Sequence, residues 1–505
     1  MVCYPIVIQG FVEGTALLGA LVDRLFFGWL EERMGRKKVY EITLTLMVAR
    51  SIASGFSIGN SRESVLTCLC FFRFLLGFGI GGDYPLSATI MSEYANTQTR
   101  GAFMAAEFGM QGLGIVVASK VEIFVSRYFM KVYANPSQLQ QDLVWRIILM
   151  FGAFPAGLTC YWRLKIPETA RYTALVTRNG RQAVLDMSRV LHLEIEEDEE
   201  SVSSIETPQP RFGLFSRDFM KYHGLQLLGT ASSWFFVDLA FYSSSLFQTD
   251  IYQDMRGLIP CYQKNPVREV FYSARAQVVI FAMGTLPAYL CTIFLIDRIG
   301  LLRIQFVGFF VMSAFLFALS IPYDQWVSAH KLHIGFLVIY SLTFFFVNFG
   351  PNTTTFIVPA ELFPAQLRST CHGISAAAGK AGAVFPGTVI GMLAFLAKEA
   401  PNNYEPFSPI QAPNKYEAFS TIQAPNNHSH HCRKKDHKGL KVQLIILAVA
   451  GCLGFFCTFL IPETMRRFLE ENEIEPTLSD LEVEFGPGFA SRDHARDHAG
   501  VSIKP

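Results

Sequence analysis

Long apolar stretches alternate with short polar ones along the chain, and each apolar stretch has the length of a membrane-spanning helix. An α-helix rises about 1.5 Å per residue, so roughly 20 apolar residues cross a bilayer. The stretches that meet this criterion are 5–27, 39–59, 65–92, 101–126, 142–164, 224–248, 273–296, 302–322, 332–358, 369–397 and 440–461. The pattern predicts an all-α, polytopic membrane protein with eleven spans.

Basic residues in the loops indicate which side of the membrane each loop faces. Lys and Arg are enriched in cytoplasmic loops, and the loop after the first span holds four of them between positions 33 and 38. With that loop inside, the central polar segment is also cytoplasmic, and we interpret it as a solvated linker. The predicted units are an N-terminal half (1–165), this central loop (166–223), a C-terminal half (224–462) that includes an outer loop (398–439), and a cytoplasmic tail (463–505).

The composition agrees with a membrane protein and excludes other classes. Of 505 residues, 51% are hydrophobic and only 17% are charged, which is too apolar for an ordinary soluble domain. The net charge of +1 gives no basis for binding nucleic acid. The ten cysteines are scattered without a metal-binding or disulfide pattern. We find no pairing of nucleophile and base and no phosphate-binding glycine loop, so the sequence predicts neither an enzyme nor a bound metal or cofactor.

Three short motifs occur once in each half, which indicates an internal duplication. The repeated pairs are Ile-Pro-Glu-Thr at 166–169 and 461–464, a Glu and an Arg at 93 and 100 and again at 361 and 368, and Glu-Arg-Met-Gly at 32–35 with Asp-Arg-Ile-Gly at 297–300. The order of the motifs is consistent with two halves in parallel orientation. Secondary transporters are built from such repeats, with the substrate site near the membrane midplane between the halves.

The stretch 81–94, GGDYPLSATIMSEY, places a carboxylate and a phenol inside an otherwise small and apolar run. Together with the preceding residues, it predicts one continuous helix for the third span. At about 1.5 Å per residue, Asp83 lies ~15 Å from the polar end of that helix, near the middle of the membrane. An ionisable side chain at that depth is a candidate functional residue. The alternative is a structural carboxylate that pairs with Arg73 or with a backbone group.

Polar side chains on other spans lie at a similar predicted depth. The repeat offset aligns Tyr84 with Asn352. Trp234, Asp238 and Tyr242 are spaced by four, so they share one helix face. For that helix alone, the alternative is an aromatic packing stripe with a structural Asp. The polar layer that we predict from both halves consists of Asp83, Tyr84, Gln111, Trp234, Asp238, Tyr242, Asn352 and Lys380.

The chemistry of this layer suits dihydrogen phosphate. Neutral donors from Tyr, Gln, Asn and Trp, together with the charge of Lys380, satisfy the oxygens of the anion, while Asp238 accepts from a phosphate hydroxyl. A cation site would contain more carboxylates, and a sugar site would contain more amides and no lysine. Because buried carboxylates take up protons more readily than exposed ones, Asp83 and Asp238 predict proton coupling.

We therefore predict a multi-pass membrane protein that transports inorganic phosphate with protons. The resemblance of GGDYPLSATIMSEYAN and FGPNTTTF to known phosphate:proton symporters implies uptake across the plasma membrane by alternating access. The protein's predicted partners are phosphate, protons and the lipid bilayer. One alternative is a symporter of another anion or of a sugar. The other is a protein that does not transport, either a phosphate sensor or a defective truncated paralogue.

Several segments resemble the plant and fungal phosphate:proton symporters of the major facilitator superfamily: GGDYPLSATIMSEYAN, PETARYTAL, FGPNTTTF and RSTCHGISAAAGKAGA. The similarity runs from Val12 to about Leu469 and implies a fold of two pseudo-symmetric helical halves. It also implies that phosphate is bound by Tyr84, Gln111, Trp234, Asp238, Tyr242 and Asn352. Proton coupling is then assigned to Asp83, Asp238 and Lys380. The cytoplasmic hinge motif of the superfamily corresponds to Gly28, Glu32, Arg33, Gly35, Arg36, Asp297 and Gly300.

The chain departs from the family pattern in its spans and in several charges. The superfamily has twelve spans, so this sequence resembles one that lacks the first, either as a truncated gene product or as a short protein. Leu301 stands where the second hinge motif has an arginine, which leaves Arg303 as a substitute. Asp23, Arg24 and Glu107 add charges to spans that are uncharged in the family. We expect Asp23 and Arg24 to pair or to extend toward the membrane edge.

Overall fold

The computed structural model describes residues 6–59, 61–96, 98–133, 138–177, 179–191, 213–246, 248, 251, 266–328, 333–385 and 437–464, and the regular structure in these ranges is helical. The N-terminal half contains α1 (Ile6–Met34), α2 (Arg36–Gly55), α3 (Arg62–Ile80), α4 (Asp83–Tyr94), α5 (Arg100–Val132), α6 (Gln138–Phe151) and α7 (Ala153–Lys165). A π-helical turn (Tyr172–Val176) and α8 (Gly180–Leu191) follow.

The helices of the C-terminal half are α9 (Arg217–Leu246), α10 (Pro266–Ile280), α11 (Leu286–Ile299), α12 (Leu301–Ser320), α13 (Tyr323–Ser328), α14 (His333–Phe349), α15 (Pro351–Leu362), α16 (Arg368–Phe385) and α17 (His437–Thr458). A π-helical turn (Phe281–Thr285) joins α10 to α11.

The predicted spans coincide with these helices. Four of the predicted spans each consist of two consecutive helices, namely α3 with α4, α6 with α7, α10 with α11, and α14 with α15. The tenth predicted span corresponds to α16 as far as Phe385, and the rest of it lies outside the described residues. Within the described ranges, seven helical stretches are long and apolar enough to cross a membrane: Ser64–Tyr94, Arg100–Val132, Leu139–Lys165, Val267–Ile299, Leu301–Ser320, His333–Leu362 and Gly439–Thr458.

The third span is one helical stretch, Ser64–Tyr94, as predicted, and only its hydrogen bonding changes at Gly81 and Gly82, whose backbone stays in the right-handed helical region. Pro85 has no backbone N–H, so it cannot donate to the carbonyl four residues earlier. The N–H of Tyr84 donates to the Gly81 carbonyl instead, at 3.3 Å. A Cβ at Gly81 would lie 2.6 Å from the carbonyl oxygen of Ala20 on α1. This local change in hydrogen bonding precedes the two polar residues of the span, at a point where α1 approaches closely.

The two halves meet along three groups of helices. Helix α1 lies against α16, α5 lies against α10 and α11, and α4 contacts both α15 and α16. Within the C-terminal half, α9 packs on α16. Helices of both halves therefore surround the predicted polar layer.

The beginning of the predicted central loop contains helical structure rather than only a solvated linker. Thr173 Oγ1 donates to Asp186 Oδ2 at 3.1 Å, which joins the π-helical turn to α8. The first helix of the C-terminal half begins at Arg217, seven residues before the predicted span at 224. The rest of this loop, the outer loop as far as residue 436 and the tail from residue 465 lie outside the described residues.

Helices α1 and α16 cross so closely that glycines are required at the contact. A Cβ at Gly28 would lie 2.8 Å from the carbonyl oxygen of Ser369, and a Cβ at Gly373 would lie 2.4 Å from that of Arg24. Small residues allow this close approach of membrane helices. The crossing joins the two halves at a residue of the hinge motif.

We expect Gly373→Val to destabilise this crossing. The added side chain overlaps the backbone of α1, and overpacking typically costs about 1–3 kcal/mol. Gly114→Val on α5 is the matched control, because a Cβ there meets nothing within 4 Å. Thermal unfolding of the two purified variants measures the difference. An equal midpoint for both variants would show that the crossing tolerates a side chain.

Candidate substrate-binding site

A buried ion pair lies between α9 and α16. Lys380 Nζ lies 2.8 Å from Asp238 Oδ2, and it also donates to the hydroxyl oxygen of Tyr242 at 2.7 Å. Lys380 is 5% exposed and Asp238 is 2% exposed, so water compensates neither charge. Removal of one charge would leave the other buried and unbalanced, which is strongly unfavourable. Protonation of Asp238 would therefore weaken its hold on Lys380.

Trp234 lies one helical turn before Asp238, on the face of α9 that meets α16. Its ring makes an edge contact with His372, with the centroids 5.4 Å apart. A Cβ at Gly379 would lie 2.4 Å from the indole, so the absence of a side chain there admits the ring. The structure thus brings Trp234, Asp238 and Tyr242 together against one helix.

Tyr84 brings the N-terminal half to the same place. Its ring centroid lies 5.9 Å from that of Phe356 and 6.4 Å from that of Phe108, both in edge-to-face contact. The guanidinium carbon of Arg24 lies 4.3 Å from the centroid of this ring and 5.8 Å from that of Trp234, so Tyr84 lies near the aromatic side chain of α9. We define Tyr84, Trp234, Asp238, Tyr242 and Lys380 as the central site.

Asn352 belongs to a hydrogen-bonded group beside the central site. Its Nδ2 donates to Asn348 Oδ1 at 2.8 Å and to the Tyr289 hydroxyl at 3.3 Å. The Tyr289 hydroxyl donates to the same Asn348 oxygen at 2.8 Å. The ring centroid of Phe108 lies 5.9 Å from that of Tyr289 and 6.4 Å from that of Tyr84, so this ring joins the group to the central site.

Gln111 lies on α5, and its Oε1 atom is buried without a hydrogen-bond partner among the described residues. A buried acceptor without a partner is unfavourable unless a ligand or water supplies a donor. A protonated oxyanion has hydroxyl groups that meet this need.

Asp83 lies in a different polar group from Lys380. Both of its carboxylate oxygens accept from Arg163 on α7, at 3.0 and 3.1 Å. The Arg163 guanidinium carbon also lies 4.4 Å from the ring centroid of Tyr40. The structural alternative to a functional Asp83 named Arg73 or a backbone group as partner, and the structure shows Arg163 instead.

Asp23 and Arg24 are buried, so the second of the two expected arrangements, extension toward the membrane edge, does not occur. Their exposed fractions are 0% and 1%. The Asp23 carboxylate accepts a hydrogen bond from the Gly82 N–H. Arg24 Nη1 donates to the Ala376 carbonyl at 2.7 Å, and the guanidinium carbon lies 4.3 Å from the ring centroid of Tyr84. Close packing of α1 against α3 and α16 turns both side chains inward.

Ion pairs between the two halves close the predicted cytoplasmic side. Arg100 Nε lies 2.7 Å from Glu361 Oε1, and Arg368 Nη1 lies 3.4 Å from Glu93 Oε1. Arg36 Nη2 also lies 3.3 Å from that Glu93 oxygen. All five side chains are at most 3% exposed, and we name them the cytoplasmic ion-pair cluster. While the cluster is formed, it joins the halves between the central site and the cytoplasm.

Residues of the hinge motif bind the opposite half. Glu32 Oε1 accepts from the backbone N–H of Thr370, and Asp297 Oδ2 accepts from that of Ala102, both at 2.9 Å. Arg33 is exposed and lies against a tryptophan of its own helix. The two acidic positions of the repeat therefore have equivalent contacts across the interface between the halves.

The internal repeat is also visible in the backbone. Gly35 and Gly300 have φ angles of 93° and 102°, a conformation that residues with side chains rarely adopt. Each separates one helix from the next at the equivalent point of its half. Leu301 is buried like Arg36, whereas Arg303 is exposed. Arg303 therefore does not replace the buried arginine that the second half lacks.

A glutamate binds the start of the second helix in each repeat. Glu168 Oε2 accepts from the Lys37 N–H, and Glu463 Oε2 accepts from the Leu302 N–H, both at 3.2 Å. Helix N-termini favour negative charge. Burial raises the pKa of the Glu168 carboxyl, although its backbone donors act in the opposite direction. The repeated Ile-Pro-Glu-Thr motif thus has the same structural role in both halves.

Comparison with known proteins agrees with this architecture. A family profile described as "Sugar (and other) transporter" matches residues 4–475. "Probable inorganic phosphate transporter 1-3" of Arabidopsis thaliana is 50% identical over 469 residues, 91% of this chain and 84% of that protein. "Inorganic phosphate transporter 1-2" of Oryza sativa is also 50% identical, over 92% of this chain and 84% of that protein. The chain belongs to the plant inorganic phosphate transporter family.

Solved structures confirm the fold predicted for this phosphate transporter family member. The proton:xylose symporter XylE of the major facilitator superfamily matches with a TM-score of 0.66, 17% sequence identity, and coverage of 92% of this chain and 88% of that one. A partially occluded, inward-open form of the xylose transporter XylE from E. coli has a TM-score of 0.60 at 16% identity, with coverage of 91% and 88%. The chain therefore has the major facilitator fold and is a multi-pass membrane protein.

The names of the relatives favour transport over catalysis for this family member. Within the described residues, no group of three or more His, Cys, Asp and Glu side chains is placed to hold a metal ion.

Sequence reasoning did not place Arg24, Tyr289 and Asn348 among the polar residues at mid-membrane. Asn348 is one turn before Asn352, a spacing that signals a shared face.

Proposed function

We propose that this protein takes up inorganic phosphate together with protons across the plasma membrane, by alternating access of its two helical halves. The observation that carries the proposal is the buried Lys380–Asp238 pair, which lies one helical turn from Trp234, while Arg24 contacts the rings of both Trp234 and Tyr84 of the opposite half. A site between the halves is alternately exposed as they move relative to one another.

The donors and acceptors of the central site support phosphate as the substrate. Lys380 supplies a positive charge, and the hydroxyls of Tyr84 and Tyr242 and the indole of Trp234 supply donors. Asp238 and the unpartnered oxygen of Gln111 accept from the hydroxyls of a protonated anion. The names of the close relatives support the same substrate.

The pairing of Asp238 with Lys380 supports proton coupling. A proton on Asp238 removes the charge that holds the Lys380 ammonium, which then binds an anion more strongly. Loss of the proton restores the pair and favours release of the anion. We propose Asp83 as a further proton carrier, since it precedes Tyr84 on α4 and a proton on its carboxylate would release Arg163.

The cytoplasmic ion-pair cluster supports the alternating step. In the arrangement seen here, Arg100–Glu361 and Arg368–Glu93 join the halves on the predicted cytoplasmic side. Release to the cytoplasm then requires these pairs to separate. Substrate binding at the central site can drive this separation only if the substrate binds one arrangement of the halves more tightly than the other.

The test is uptake of labelled phosphate by cells that lack their own phosphate carriers. We expect uptake that rises as the external medium is made acidic and that stops when the proton gradient is collapsed. Excess unlabelled phosphate should compete, whereas excess sugar should not. Competition by a sugar or by another anion alone would overturn phosphate as the substrate. If the protein reached the cell surface and bound phosphate but took none up, a phosphate sensor would be favoured.

A further inference from the structure

Arg24 is a buried cation beside the central site, contributed by α1 of the N-terminal half. Its guanidinium carbon lies 4.3 Å from the ring centroid of Tyr84 and 5.8 Å from that of Trp234. A guanidinium over aromatic rings is held in a defined orientation by cation–π attraction. Arg24 thus faces two of the side chains proposed to bind phosphate.

The guanidinium has hydrogen-bonding capacity that the described residues do not use. Nη1 donates to the Ala376 carbonyl at 2.7 Å. Nε is buried and has no hydrogen-bond partner in the described part of the chain. A buried donor without a partner is unfavourable, and an oxyanion supplies acceptors that suit the planar donor array of arginine.

The surrounding charges leave Arg24 available to an anion. The charge of Lys380 is balanced by Asp238 at 2.8 Å. The Asp23 carboxyl group, next in sequence, accepts a hydrogen bond from the Gly82 N–H. The titratable groups that face Arg24 from the helices around it are Asp23, Tyr84, Tyr242, His372 and Lys380.

We propose that Arg24 is a second cationic contact of the transported anion, and that its charge allows the site to bind doubly charged phosphate as well as the singly charged form. This inference rests on the proposed function. While Lys380 is paired with Asp238, Arg24 is the cation beside the central site that can meet the second negative charge of the anion. Asp238 would repel the doubly charged form in the absence of Arg24.

A purely structural role predicts a different result. Arg24 also joins the halves through the Ala376 carbonyl on α16. If that bond were its only role, substitution would change stability or affinity to the same extent for both charge states of the anion. The ratio of the two affinities therefore separates the roles.

The experiment measures phosphate binding to the purified full-length chain from its thermal shift, at pH values of about 5 and about 8 that bracket the second ionisation of a phosphate group. Arg24→Gln keeps a donor for Ala376 but removes the charge, and Arg24→Lys keeps the charge. We expect Arg24→Gln to lose roughly tenfold more affinity at the higher pH than at the lower one. Arg24→Lys should restore part of that loss.

Arg50→Gln is the matched control. Arg50 lies on α2, away from α9 and α16, and its Nε is also buried without a hydrogen-bond partner in the described residues. It should leave the ratio unchanged. An equal loss at both pH values in Arg24→Gln would overturn the role of Arg24. If the wild-type chain bound sulfate but not phosphate, the proposed function would fail. The role of Arg24 would then be tested by comparing how much affinity for sulfate is lost in Arg24→Gln and in Arg50→Gln.

Discussion

Asp238→Asn is expected to abolish phosphate uptake. The substitution keeps the size of the side chain but removes the charge that lies 2.8 Å from Lys380 Nζ. It also removes the group that we propose to carry the proton. Loss of one partner of a buried pair costs about 3–5 kcal/mol, so uptake should fall on the order of a hundredfold or more. Initial rates of labelled phosphate uptake, normalised to the amount of chain at the cell surface, measure the effect.

Asp324→Asn is the control for this experiment. Asp324 pairs with Lys441 at 3.0 Å, but its side chain is 67% exposed. Exposed pairs contribute at most about 1 kcal/mol, so this variant should transport like the wild type. Normal uptake by Asp238→Asn at an equal surface level would refute an essential carboxylate at position 238.

Glu361→Gln is expected to shift the protein toward arrangements that are open to the cytoplasm. Arg100 Nε lies 2.7 Å from this carboxylate, and both side chains are only 3% exposed. Removal of one charge weakens the closed arrangement by about 3–5 kcal/mol, which changes the population ratio at least a hundredfold. The measurement is the alkylation rate of Ser369→Cys, since Ser369 is fully buried and its hydroxyl lies 3.2 Å from that of Thr89 in the opposite half.

The double variant Arg100→Gln with Glu361→Gln provides the comparison. It removes both buried charges together, so it should open the cytoplasmic side less than Glu361→Gln alone does. Parent chains without Ser369→Cys correct for the native cysteines. Alkylation that is as slow in Glu361→Gln as in the wild type would show that this pair does not hold the halves together.

The spans were predictable because apolar length and helix rise determine them almost completely. The repeated Ile-Pro-Glu-Thr motif was also predictable, since each copy binds the start of an equivalent helix. The continuous helix of the third span was predictable, and so was the altered hydrogen bonding at Gly81, because Pro85 four residues later has no N–H to donate. A proline near two glycines was a sufficient signal for it.

The depth of Arg24 in the membrane could have been predicted from the sequence. Arg24 lies ten residues before the end of α1 at Met34, which is about 15 Å at 1.5 Å per residue. That is the depth from which Asp83 was judged functional. The charges at 23 and 24 depart from the family pattern, so the sequence suggests only that they pair or extend toward the membrane edge. The pairing of Asp83 with Arg163 was not predictable, since it depends on how α4 packs near α7.

The cytoplasmic ion-pair cluster has a reciprocal pattern. Glu93 and Arg100 correspond in the repeat to Glu361 and Arg368, and each glutamate pairs with the arginine of the other half. Two identical subunits related by a twofold axis would make the same exchange, in which residue i of one meets residue j of the other. The closure of this membrane protein is therefore a dimer interface whose two subunits are joined in one chain. A single half, expressed without its partner, would carry both the glutamate and the arginine needed to bind a second copy of itself.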